Sequence, residues 1–171
     1  MKKNVALATL TATCLWVTSL HLSWTEYDNG HLLIVDGVPI DLGGEISELW
    51  NKATRQCAQV RLVSAHEDIH AVALATIANY SPPQSRMAQI ASLWSTGDWL
   101  LAEVEFKDLF PAVVLLHGST TYLSIEPHAV WSGLTKPWKA APHIRHYLSG
   151  QVSEAPPVLL RCFELQSNAF D

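Results

Sequence analysis

Residues 99–126, WLLAEVEFKDLFPAVVLLHGSTTYLSIE, constrain the fold more than any other stretch, because they read as three consecutive strands. Leu100, Ala102, Val104 and Phe106 alternate with Trp99, Leu101, Glu103 and Glu105, the two-residue period of a strand with one wetter face. Ala112 to Leu116 is apolar without a break, as in a central strand covered on both faces. Gly118-Ser119-Thr120 supplies turn chemistry, after which Leu123 and Ile125 alternate with Tyr122, Ser124 and Glu126. A meander of this kind forms an antiparallel sheet, against which the flanking helical segments must pack.

Helical and extended patterns surround this core. His31 to Val35 reads as a buried strand, Asp36-Gly37 as a turn or bulge, and Val38-Pro39-Ile40 as extended chain. A helix is expected from about Glu45 to Cys57, with Ile46, Leu49, Trp50 and Ala53 at the spacing of one apolar, core-facing stripe. Gln59 to Ser64 alternates like a strand. A second helix runs from His66 to Tyr80, with Ser64 and Glu67 as a capping box, and Ser81-Pro82-Pro83 stops it. Arg86 to Trp94 reads as a third, short helix, and two more begin at Pro142 and Pro156. The fold expected is α+β: an antiparallel or mixed sheet of five to six strands with helices packed mainly on one face. Its strands are 99–106, 112–116, 121–125, 31–35 and 60–63. No repeat, low-complexity run or linker divides residues 1–171, which are read as a single domain.

The N-terminus admits two readings. Lys2 and Lys3 followed by VALATLTATCLWV fit an export signal over residues 1–19, with Val17-Thr18-Ser19 as the cleavage site. The mostly apolar even positions from Ala8 to Trp24, alternating with Thr, Ser or His, otherwise read as a first strand, with export slightly favoured. As a membrane span the segment is poor, because Thr and Ser dilute it. Export favours a periplasmic or secreted protein; retention leaves a cytoplasmic one with buried thiols. In the export branch cleavage removes Cys14 and leaves Cys57 and Cys162 as an even pair, and a disulfide between them is expected only there.

Two segments approach chemistry. His66-Glu67-Asp68-Ile69-His70 matches H-E-x-x-H and so resembles the zincin metallopeptidases over about ten residues. That resemblance implies His66 and His70 as zinc ligands and Glu67 as the base acting on metal-bound water. The same residues also read as a helix N-terminus, with Glu67 and Asp68 as favourable first-turn acids. No second motif supplies a third ligand, and Glu103 sits in an expected strand. The other segment, 127–153, has no acidic residue but holds Lys136, Lys139, Arg145, Trp131, Trp138 and Tyr147. Cations among flat rings can stack bases or sugars and pair with phosphates, which makes Trp138, Lys136, Lys139 and Arg145 candidate ligand-binding residues. The alternative is that the rings pin an irregular segment to the sheet. Trp131 is expected in the core and Trp138 at least half exposed. Ser119 reads as a turn serine, since nothing marks an orienting acid for His117.

A net charge of −5 argues against a nucleic-acid-coating protein and favours a protein partner, while 49% apolar and 16% charged residues exclude a disordered chain. The reading preferred is a small bacterial-type accessory or binding protein without catalytic activity. Its rivals are a zinc-dependent hydrolase using 66–70 and a binder of anionic ligands or nucleic acid through 127–153.

Overall fold

The computed structural model describes residues 21–80 and 83–170. Both readings of residues 1–19, and Cys14, fall outside them. The class is α+β, with eight described strands in two antiparallel sheets and four α-helices. The strands are β1 (Leu22–Tyr27), β2 (Gly30–Val35), β3 (Val38–Ile40), β4 (Arg61–Leu62), β5 (Gln89–Thr96), β6 (Trp99–Glu105), β7 (Ala112–Ser119) and β8 (Tyr122–Ser132). The helices are α1 (Leu42–Thr54), α2 (Asp68–Tyr80), α3 (Ala140–Gln151) and α4 (Pro157–Cys162). The chain divides into two compact units after Ile46.

In the first unit, strands β1-β2-β3 form a small antiparallel sheet of two tight hairpins. Asp36 and Gly37 both have positive φ (49° and 81°), the geometry of a two-residue hairpin turn, and Asp-Gly is one of the pairs that favour it. Pro39 lies on the edge strand, where its missing N–H costs no ladder bond. The strand expected at 31–35 therefore exists but belongs to this sheet, not to the one built by 99–126.

In the second unit, a five-stranded sheet of order β4-β5-β6-β7-β8 carries the meander as its centre. Leu101, Val113, Leu115, Ala129 and Trp131 face α3 and α4, packing on Ile144, Leu148, Leu159, Leu160 and Phe163. Leu100, Ala102, Val104, Val114 and Leu116 point the other way, toward Ala73 and Ile77 of α2. Two helices thus pack on one face of this sheet and one on the other. Gly118 is required where β7 turns back. Its φ is +143°, and a Cβ there would stand 2.2 Å from the carbonyl oxygen of Tyr122.

Several expected elements are corrected. The segment 86–94 is not a helix: Pro83–Met87 forms a 3-10 turn and Gln89–Thr96 is a strand. A register shift between Ile90 and Ser92 breaks the two-residue period, so Met87, Ile90, Ala91 and Trp94 imitate a helical stripe. Strand β6 has no wet face: Glu103 is completely buried. Its carboxylate accepts hydrogen bonds from Ser92 Oγ and the backbone N–H groups of Gln166 and Ser167, all at 2.9 Å. A buried acid is tolerated there because three donors replace its water. The third correction concerns α1 and bears on function.

Candidate functional site

Helix α1 is amphipathic in sequence, but its apolar side is turned out. Ile46, Leu49 and Trp50 are 65%, 68% and 71% exposed, while Glu48 is 7% exposed. The expectation that this stripe faces a core is therefore overturned. The reason is the opposite face, where three polar residues find fixed partners. Glu48 pairs with the buried Arg145 of α3, whose other amino group donates to the carbonyl of Phe163 at 3.2 Å. Asn51 Nδ2 donates to the carbonyl of Arg161 at 2.8 Å, and Arg55 pairs with Glu164. One turn on, Cys57 is disulfide-bonded to Cys162 at the end of α4, with Cα atoms 5.7 Å apart.

Electrostatics reinforce the arrangement. Burial by itself would raise the Glu48 carboxyl, but the hydrogen bond and charge of Arg145 outweigh it, helped by Lys52. The net result holds the group below the ordinary glutamate range, so it stays ionised at neutral pH. Turning α1 over to bury its apolar stripe would strand Arg145 without its acid, which costs about 3–5 kcal/mol.

The small sheet of the first unit shows a related feature. Register places Leu22, Val35 and Val38 side by side, and Trp24, Leu33 and Ile40 likewise, on one face. None of the six is buried; Trp24 is 65% and Val38 61% exposed. The opposite face carries Ser23, Thr25, Ile34, Pro39 and the buried Leu32.

The residues singled out from sequence are distributed as follows. His66 lies in a turn and α2 begins only at Asp68, so the helix starts two residues later than expected. His66 and His70 are consequently not on successive turns of one helix. Glu67 behaves as half of the expected capping box, accepting from the backbone N–H of Ser64 at 2.7 Å. It also accepts two bonds from Arg61, at 2.8 and 2.9 Å. The Ser64 N–H first, and Arg61 second, hold its carboxyl below the usual range. Such a carboxylate is a poor proton acceptor. Among the described residues no group of three or more His, Cys, Asp or Glu is placed to hold a metal ion.

The basic segment is likewise divided. Lys136 and Lys139 are exposed, but Arg145 is buried and committed to Glu48, so the three do not form one cationic surface. Trp131 is core, as expected. Trp138 is partly buried rather than half exposed, stacked over His143 with centroids 6.3 Å apart and planes at 13°. The neighbouring His143 also meets Trp131 edge-on at 6.1 Å, which holds this aromatic group against α3. Ser119 Oγ contacts Thr121 Oγ1 at 3.1 Å, a turn contact.

What sequence reasoning missed is the outward stripe of α1. A signal was present: Glu48, Asn51 and Arg55 recur at helical spacing opposite the stripe, but their partners lie about 100 residues away. No described helix is long and apolar enough to cross a membrane. No protein-family model, curated protein or solved structure matches the chain.

Proposed function

We propose that this chain is a bacterial accessory protein without catalytic activity, working in an oxidising compartment such as the periplasm or the outside of the cell. It binds a protein partner through the apolar face of β1-β2-β3. The observation that carries the reading is that face: six neighbouring positions, all apolar, none buried. Contiguous exposed apolar surface marks protein–protein contact sites, and the exposed Glu26–His31 pair that continues this face beyond Trp24 and Leu33 gives the patch a polar rim. The disulfide between Cys57 and Cys162 supports the compartment, because such bonds persist where thiols are not kept reduced. The commitment of Arg145 to Glu48 leaves segment 127–153 a small cationic footprint, which disfavours nucleic acid as the partner.

The test is a photo-crosslinking residue placed at position 24 in the native host, with position 23 on the opposite face as control. One defined protein adduct from position 24 and none from 23 is the expected result. An absence of protein adducts, or a mature protein with two free thiols, would contradict the reading.

A further inference from the structure

The inward side of α1 borders a hollow as well as anchoring the helix. Ser47 and Asn51, four apart on α1, line a space of about 370 Å³. Its other walls are α3, through Arg145 and His146, and α4, through Leu160 and Arg161. Every lining residue lies in the second unit.

Some of the polar groups there are committed within the chain. The two amino groups of Arg145 serve Glu48 and the Phe163 carbonyl, and Asn51 Nδ2 serves the Arg161 carbonyl. Three others are not. The Arg161 guanidinium, the His146 ring and the Ser47 hydroxyl are exposed, and none has a hydrogen bond or ion pair among the described residues. One such donor comes from each of the three helices. No Asp or Glu is among the described residues that line the hollow. The acids nearest in sequence are already matched: Glu48 pairs with Arg145 and, at 3.4 Å, with Lys52, and Glu164 pairs with Arg55. Arg161 therefore sets the sign of the site, which is positive.

We infer that this hollow between three helices binds the phosphate group of a small phosphate monoester. A guanidinium fork matches two phosphate oxygens at once. The His146 N–H and the Ser47 hydroxyl approach from two further helices, which suits a tetrahedral group with three terminal oxygens better than a planar carboxylate with two. The hollow has the volume of a small-molecule site, so an organic group on the phosphate fits beside Leu160. One uncommitted guanidinium holds one phosphate and gives no track for a nucleic-acid strand. The inference does not rest on the β1-β2-β3 face, and either can fail without the other.

Titration of inorganic phosphate and of glycerol 3-phosphate into the nitrogen-15-labelled, disulfide-bonded full chain tests it. Saturating amide shifts centred on Ser47, His146 and Arg161 are expected. Arg161→Gln keeps the carbonyl that Asn51 uses and should leave far-UV circular dichroism unchanged. It should weaken binding by roughly ten- to a hundredfold, the loss of a hydrogen bond between charged groups. Lys107→Gln removes the same charge from an exposed position elsewhere in the unit and should leave binding unchanged. Vesicles containing phosphatidic acid separate the two sources of such a group. Retention of the wild type but not of Arg161→Gln identifies a lipid headgroup; glycerol 3-phosphate binding without retention identifies a soluble ligand. The inference is overturned if neither small probe gives saturating shifts in the millimolar range, or if the shifts centre elsewhere. Equal weakening by Arg161→Gln and Lys107→Gln would overturn it too, because the anion then only screens surface charge.

Discussion

Helix α3 presents Ile144 and Leu148 to the five-stranded sheet and buries both completely, whereas α1 turns Ile46, Leu49 and Trp50 outward and buries Glu48. Both helices have an apolar stripe at the same spacing. The difference is in what each finds on its other side. In α3 the buried Arg145 meets Glu48 while Ile144 and Leu148 still reach the sheet, so its polar pairing and its apolar burial favour the same orientation. Facing α1 are Arg145, the Arg161 carbonyl and Glu164, which must be satisfied once buried, and the disulfide fixes where the helix ends. Polar partners and a covalent link therefore hold α1 against its own amphipathicity.

The largest expected effect tests the covalent part. The disulfide joins residues 105 apart, and closing a loop of that length stabilises by about 4–5 kcal/mol in the chain-entropy view. Cys162→Ser should lower the free energy of unfolding by about that amount, measured by denaturant titration against the oxidised wild type. A loss below about 1 kcal/mol would mean that the link contributes little to holding α1.

A second comparison sharpens the contrast between the helices. Ile144→Ala empties a completely buried site and should cost about 2–5 kcal/mol. Leu49→Ala, at the same helical phase in α1, should change stability by no more than about 0.5 kcal/mol. Equal losses at the two positions would show that the stripe of α1 is packed after all.

The sheet of 99–126 was legible because Ala112 to Leu116 and Leu123/Ile125 follow strand periods that depend only on local chain geometry. Strand β5 was not, because its bulge after Ile90 shifts the alternation and leaves a helical spacing behind. The capping role of Glu67 could be read from Ser64 three residues earlier. The orientation of α1 could not: period alone says which residues share a face, and only a partner about 100 residues away says which face is inside. Arg145 misled for the same reason, appearing as one of three surface cations when its acid lies in α1.

Acid should weaken the hold on α1. The Glu48 carboxyl is held below its unfolded-state value, so its contribution is complete above the ordinary glutamate range and is lost as pH falls through the lower folded value. Stability of the wild type should therefore drop more steeply below that range than stability of Glu48→Gln. Parallel acid limbs in urea titrations would mean that the pair with Arg145 is not ionic.

The most direct measurement is a double-mutant cycle on Glu48 and Arg145, using Glu48→Gln, Arg145→Met and the combination, read by denaturant unfolding at neutral pH. If α1 is held by its polar face, each single change leaves a buried group without its partner, and removing both relieves part of that loss. The coupling expected is about 1–3 kcal/mol. Losses that add to within about 0.5 kcal/mol would show that the two residues do not meet, and that α1 is oriented by something other than its buried ion pair.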